Sequence, residues 1–368
     1  MDPPERRSTR SVTVGGIAIG GGSPITVQSM TTTDLRDPNG TLHEIERLAD
    51  AGCEIVRVAF ERHDDAGALA EVAKGSRLPV VADVHFDWRL AFEALEAGVH
   101  KLRVNPGNMD CTSSEIAEIA REAASRAVPV RVGVNSGSVR PRGKEAGSDL
   151  RPLLDALVET ALEGCRMLED GGLSDIVVSM KAADVATTVA AYRTVAAETD
   201  YPLHVGVTAA GPPGAAAAKS AIGIGALLLD GIGDTLRVSY TGDPVEEVRA
   251  GYAILEALEI RRRSPQIISC PTCGRCKVDL FSMVEEVRRR IESYPPGITV
   301  AVMGCVVNGP GEAAEADVGL AAGPGTAVIF RAGERVRRVG EAEAVDALIK
   351  EIDRIIAEEP PGAEGGER

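Results

Sequence analysis

Residues 54–107 read EIVRVAFERHDDAGALAEVAKGSRLPVVADVHFDWRLAFEALEAGVHKLRVNPG. They hold three apolar runs of seven or eight residues, EIVRVAF from Glu54, PVVADVHF from Pro79 and HKLRVNPG from His100, with helical spacing of apolar residues between them. Strand, helix, strand in this rhythm is the pattern of a parallel sheet. Working outward, the rhythm extends both ways. ITVQSM from Ile25 precedes it, and PVRVGVN from Pro129, DIVVSMK from Asp175, PLHVGVT from Pro202 and DTLRVSY from Asp234 follow. Intervening segments such as TLHEIERLADAG and SSEIAEIAREAASRA open on Ser or Thr, as helices do. Eight such units in about 250 residues make a TIM (β/α)8 barrel the expected fold. Ahead of them, TRSVTVGGIAIGG at residues 9–21 reads as a hairpin turning at Gly15 and Gly16, a plug or cap for the barrel.

The rhythm stops at EIRRRSPQ, residues 259–266, a charged connection that carries a proline. Beyond it come a helical stretch (VDLFSMVEEVRRRIESY), two strand-like runs (ITVAVMG and TAVIFRAG) and a final helix (AVDALIKEIDRIIAEE). The expected organisation is a barrel over 1–260, a small α+β domain over 261–358, and a disordered tail over 359–368, where PPGAEGGER is low in apolar residues.

Composition narrows the function. The net charge of -15 and the 3% aromatic content speak against nucleic-acid binding, which needs a basic footprint and stacking rings. No stretch of eighteen consecutive apolar residues is present, so no membrane span is expected. Seven cysteines, an odd number with four of them clustered, fit a reducing, cytoplasmic setting better than a disulfide framework.

Two constellations carry chemistry. Polar residues at the C-terminal ends of barrel strands build active sites, and here they are basic: Arg57, Arg103, Arg131, Lys181 and Arg237, with Asn105, Asn135, Ser179 and Ser239 among them. Five converging cations in an acidic protein repel one another unless an anion such as a diphosphate is expected. The competing arrangement pairs each arginine with a barrel carboxylate. Asp83 and His85, alternate residues of one strand, face the same way and suit proton transfer or a satisfied buried pair. The glycine-rich run 219–235, KSAIGIGALLLDGIGDT, suits phosphate cradling or tight turning equally well. Cys53, Cys111, Cys165, His43, His63, His100, His204 and Trp88 read as packing residues.

The second constellation is CPTCGRC at 270–276 with GCVVNGPGE at 304–312. Cysteines at two-residue spacings that converge with a distant one read as metal or cluster ligands, with zinc and iron–sulfur both open on spacing alone.

Taken together, VQSMTTTD, IVRVAF, VADVHF, LRVNPGN, RVGVNSGS, VSMKAADV, KSAIGIGALLLDGIGDTLRVS, SCPTCGR and GCVVNGPGE resemble the 4-hydroxy-3-methylbut-2-en-1-yl diphosphate synthase family of the methylerythritol phosphate pathway, over residues 10 to 355. The resemblance implies reductive ring opening and dehydroxylation of 2-C-methyl-D-erythritol 2,4-cyclodiphosphate, releasing water. It implies a [4Fe-4S] cluster on Cys270, Cys273, Cys305 and Glu312, the glutamate also taking a catalytic part as the replaceable ligand. It assigns Arg57, Arg103, Arg131, Asn135, Lys181, Arg237 and Ser239 to the substrate, with Asp83 and His85 beside them. Electrons are expected from ferredoxin or flavodoxin, and the assembly is expected to be a head-to-tail homodimer in which one subunit's cluster domain closes over its partner's barrel. Two departures stand out. Thr208, Ala209, Ala210 and Gly211 occupy the place of the family's T-E-A-G, whose glutamate handles protons, so a homologue that binds but turns over slowly is the alternative. Cys276 is an additional thiol that the family motif does not require, and it is expected to be a bystander.

Overall fold

All eight apolar runs are strands of one parallel barrel. In a computed structural model the chain divides into two units, residues 1–261 and 262–368. The structure describes residues 5–109, 111–139, 151–208, 211–305, 311 and 316–358. The expected tail at 359–368 lies outside them.

The opening hairpin pairs β1 (Ser11–Val14) with β2 (Ile17–Gly20), turning through Gly15 and Gly16, both with positive φ. The barrel strands are β3 (Thr26–Met30), β4 (Ile55–Phe60), β5 (Val80–Val84), β6 (Lys101–Val104), β7 (Val130–Asn135), β8 (Ile176–Lys181), β9 (His204–Val205) and β10 (Thr235–Leu236). Their hydrogen-bonded order is β8-β7-β6-β5-β4-β3-β10-β9, and a bridge between Val178 and Leu203 joins the two ends into a closed ring. Helices α1 (Pro38–Asp50), α2 (Ala66–Gly75), α3 (Leu90–Glu96), α4 (Ser113–Ser125), α5 (Arg151–Asp170), α6 (Val185–Glu198), α7 (Pro213–Leu229) and α8 (Pro244–Ala257) alternate with them.

Local chemistry sets the helix starts. Asp37 accepts from the Gly40 N–H ahead of Pro38, and Thr112 and Glu115 form a reciprocal capping box at α4. Alternation sets the faces of the strands. Val56, Val58 and Phe60 of β4 pack outward in the main core, whereas Ile55 joins Val14 and Ile19 of the hairpin and Val81 in a separate cluster at the barrel's lower end. The hairpin therefore plugs the N-terminal end, as expected, and leaves the C-terminal end for chemistry.

The second unit is a five-stranded sheet in the order β11 (Gln266–Ser269), β12 (Thr299–Met303), β13 (Val318–Gly323), β14 (Thr326–Arg331) and β15 (Glu334–Val339). β11, β12 and β13 pair in parallel, and β14 pairs antiparallel with both β13 and β15. Helices α9 (Leu280–Ile291) and α10 (Ala344–Glu358) cover one face, burying Leu280, Val287, Leu348 and Ile352 against Val300, Val302 and Leu320. Sequence reading finds two of these strands. It misses QIIS because it is short and joins a charged linker, VGLAAG because its small residues carry little strand propensity, and ERVRRV because five of its six residues are exposed on an edge. Among the described residues no helix is long and apolar enough to cross a membrane.

Candidate active site

The inner face of the barrel carries the cations that the strand ends foretell, at greater depth than expected. Arg103 is 4% exposed, Arg131 2% and Lys181 8%, so these are core positions that hold charge. Asp83 sits among them: Arg103 Nη1 reaches its Oδ1 at 2.9 Å and Arg57 Nε its Oδ2 at 3.3 Å. His85 Nε2 lies 3.2 Å from the same carboxylate and 2.6 Å from Arg103 Nη1. Arg103 also donates to the Gly133 carbonyl at 2.8 Å. Burial opposes ionisation of Asp83, but Arg57, His85 and Arg103 outweigh it and hold the carboxyl well below the usual range. At neutral pH it is a carboxylate.

On the other side of the mouth Glu247, 4% exposed near the start of α8, accepts from Arg237 Nη2 at 3.1 Å, the Ser29 hydroxyl at 3.3 Å and the Tyr240 N–H at 3.1 Å. The pairing alternative is therefore right for three arginines, which share two carboxylates. Arg131 and Lys181 have no ion pair among the described residues. Burial, then the positive charge of Arg57 and Arg103, lowers the Arg131 pKa well below its ordinary value. Lys181 is lowered by burial, then by Arg131, Arg57, Arg237 and Arg103. Arg57 comes down to about 10, chiefly by burial. Burial comes first in each of these depressions, and neighbouring cations deepen it.

Polar atoms are orphaned at the same site. Arg103 Nε, Arg131 Nε and Lys101 Nζ are buried without a hydrogen-bond partner, an uncommon state for native polar groups. Lys101 escapes the sequence reading because it opens β6, two residues below Arg103 on the same face, rather than closing it. It is fully buried, and its amine is pushed well below the ordinary value by burial, then by Arg131 and Arg57. His204, read as a packing residue, is 1% exposed with Nδ1 unpartnered and Nε2 3.4 Å from Lys181 Nζ. Its only sequence signal is a charged-capable residue inside an otherwise apolar strand.

Two inward glycines make room for the cations. A Cβ on Gly133 would lie 2.5 Å from Arg103 Nε, and one on Gly206 would lie 2.8 Å from Lys181 Nζ. The motifs RVGVN and HVGVT contain them, and an unexplained glycine inside a strand is a usable signal of close approach. Asn105 is buried, accepting from the Gly107 N–H at 3.2 Å and the Ser138 hydroxyl at 3.4 Å. Asn135 and Ser239 stand half-buried at the same end. Asn108 places Nδ2 3.0 Å from His85 Nδ1 while its Oδ1 is orphaned; exchanging the amide ends gives that oxygen the imidazole N–H and leaves Nε2 to accept from Arg103.

The glycine-rich run does not face this mouth. Most of it is α7, where Gly223 lies against Val207, and Gly231 and Gly233 turn into the beginning of β10, the end opposite the active face. It packs and turns; it does not cradle phosphate. Cys53 and Cys165 are buried thiols pushed up to about 12 by burial, and Trp88 meets Phe92 edge-on at 5.6 Å, so these are packing residues as expected.

In the second unit, adjacent parallel strands deliver the cysteines. Cys270 follows β11, and Cys305 follows Gly304 at the end of β12. The Gly304 N–H points at Cys270 Sγ at 3.4 Å, and a Cβ on Gly304 would lie 2.5 Å from Cys276 Sγ. All seven cysteines are free thiols, with Cys273 exposed. Cys276 turns its sulfur toward the Val278 carbonyl, 3.4 Å away. Among the described residues no three His, Cys, Asp or Glu close into a metal-holding group. Glu312, Ala209 and Ala210 lie outside those residues. The donor chemistry fits an iron–sulfur centre: reduced thiols stand on the loops that follow β11 and β12, with the Gly304 N–H aimed at Cys270 Sγ and the lack of a side chain there leaving room for Cys276 Sγ.

Two features define the class: a barrel whose interior carries buried cations short of negative charge, and a second unit that carries clustered free thiols. The chain belongs to the GcpE family: the GcpE TIM-barrel domain matches residues 9–252 and the GcpE C-terminal domain residues 266–354. Relatives from Geobacter sulfurreducens and Symbiobacterium thermophilum are each 50% identical to it, covering 96% of this chain and 99% and 95% of their own lengths. One from Mycobacterium tuberculosis is 48% identical over 97% of this chain and 93% of its own. All three bear the name 4-hydroxy-3-methylbut-2-en-1-yl diphosphate synthase (flavodoxin). Enzymes of the GcpE family carry a [4Fe-4S] cluster.

Proposed function

We infer that this protein converts 2-C-methyl-D-erythritol 2,4-cyclodiphosphate to 4-hydroxy-3-methylbut-2-enyl diphosphate and water, a two-electron reductive ring opening in isoprenoid biosynthesis. The observation that supports this most is the buried cationic interior. Among the described residues Arg57, Arg103, Arg131, Lys181 and Arg237 face only the carboxylates of Asp83 and Glu247, and a diphosphate supplies the missing charge as bidentate partner to the guanidinium forks and point partner to the lysine. Asn135 and Ser239 add neutral hydrogen bonds at the rim.

Asp83 holds Arg57 and Arg103 in place and, being ionised, accepts rather than gives protons. His85, whose Nε2 accepts from Arg103, and Lys181 beside His204 are the groups that can carry a proton toward the departing hydroxyl. Cys270, Cys273 and Cys305 with Glu312 would hold the [4Fe-4S] cluster. When bound, that cluster supplies the reducing electrons one at a time and a Lewis-acidic iron. Flavodoxin, present in the relatives' names, is the proposed electron donor; the proposed setting is cytoplasmic and the proposed assembly a head-to-tail homodimer.

Calorimetry on the cluster-free protein tests the substrate half. The cyclodiphosphate is expected to bind and the unphosphorylated methylerythritol is not; equal affinity for the two would overturn the assignment of the cations.

A further inference from the structure

The described barrel-mouth residue with the least ordinary backbone is Phe86. Its φ is +61°, the left-handed region that bulky side chains avoid, and the residue is 68% exposed. The Asp87 N–H donates to the His85 carbonyl at 2.8 Å across it, closing a three-residue turn around a positive φ, a rare and strained form. Both neighbours are pinned. Arg103 and Asn108 hold His85. His63 holds Asp87, with Nε2 3.1 Å from its Oδ2, while His63 Nδ1 takes Glu93 of α3 at 2.6 Å. The Arg89 N–H adds a bond to Asp87 Oδ1 at 3.0 Å. An exposed phenylalanine is ordinary, and so is a polar loop. A loop fixed on both sides so that an aromatic ring stays in water, in a conformation glycine adopts more readily, is a strained outlier of the kind that clusters at functional sites.

We propose that Phe86 is a substrate-positioning residue, the apolar wall against which the methyl-bearing carbon face of the phosphorylated polyol lies once its phosphates are among the cations. The inference rests on the function proposed above. The ring stands 6.0 Å from the His85 ring, beside the group that faces Asp83 and Arg103, while the side chains below it are guanidiniums, a carboxylate and amides. Anion binding alone orients one end of a branched polyol. A ring at the rim fixes the other end and removes water from it.

Phe86→Ala, Phe86→Leu and Phe86→Gly test it. In Phe86→Ala, Kd for the cyclodiphosphate on cluster-free protein and KM on the loaded enzyme are expected to rise roughly tenfold while kcat stays within about twofold, the signature of lost uniform binding. Phe86→Leu recovers most of that loss. Without substrate, Phe86→Gly melts about 2–4 °C above Phe86→Ala, because glycine accepts the positive φ. Affinity within twofold of wild type in Phe86→Ala, or a fall in kcat at unchanged KM, overturns the proposal. Failure of the wild-type protein to bind the cyclodiphosphate overturns the functional reading with it, whereas wild-type binding that Phe86→Ala leaves intact overturns this inference alone.

Discussion

Replacing Arg131 by methionine separates a binding cation from a structural one. Arg131 is 2% exposed, neighbours Arg103 in the register of β6 and β7, and carries an unpartnered Nε. Burial first, and then the positive charge of Arg57 and Arg103, lowers its pKa. Methionine keeps most of the buried length and removes the repulsion, so the free protein should gain on the order of 1–2 kcal/mol. In a barrel of this size that is a rise of about 2–6 °C in Tm. The same change removes charge-assisted bonds to the diphosphate of about 1.5–3 kcal/mol, which weakens binding roughly 10- to 150-fold. Differential scanning calorimetry and isothermal titration on one preparation read both numbers, and Arg131→Lys, which keeps the charge without the fork, should fall between. A Tm lowered by several degrees, or a Kd within twofold of wild type, would refute the reasoning, since either means that the folded protein already satisfies this guanidinium.

Three other outcomes follow. Lys101 has a folded pKa below its unfolded one, so the unfolded chain binds more protons between those two values and stability rises with pH through that window; Lys101→Met should raise Tm at neutral pH and remove up to about 1.4 kcal/mol per pH unit of that slope, read from melts between pH 6 and about 10. Substrate binding needs Lys181 protonated while burial and its cationic neighbours depress its pKa, so Kd should rise as pH climbs through that depressed value, and titrations in buffers of different ionisation heat should show proton uptake; Lys181→Arg should flatten the profile. At the thiol loops, Cys276→Ser should leave the visible absorbance of anaerobically prepared protein unchanged and Glu312→Ala should lower it or abolish turnover, with the reverse pattern making Cys276 the fourth ligand.

The barrel was legible because apolar runs at regular spacing admit few architectures, and all eight runs named from sequence are strands. The cations of the mouth were legible for a related reason: Arg103, Arg131 and Lys181 interrupt apolar strands and have no packing purpose there. Lys101 and His204 escaped because they lie at the starts of strands, where sequence reasoning expects no chemistry, and the closed ring alone shows that their faces join the same interior. Which arginines pair with Asp83 and which with Glu247 depends on cross-strand and helix contacts that spacing does not encode. The glycine-rich run stayed ambiguous in sequence, since glycine serves close helix packing at Gly223 as readily as phosphate contact. The strain at Phe86 has no sequence signature, because phenylalanine is not a turn residue.

The most direct test of the central claim is anaerobic turnover. Protein purified and reconstituted without oxygen, given reduced flavodoxin and 2-C-methyl-D-erythritol 2,4-cyclodiphosphate, is expected to form 4-hydroxy-3-methylbut-2-enyl diphosphate at two electrons per product, and Arg131→Met to lose that rate at subsaturating substrate. No product above the cluster-free control, from protein whose absorbance shows a complete cluster and which binds the cyclodiphosphate, would contradict the account and leave a binding homologue that lacks its proton-transfer group at Ala209.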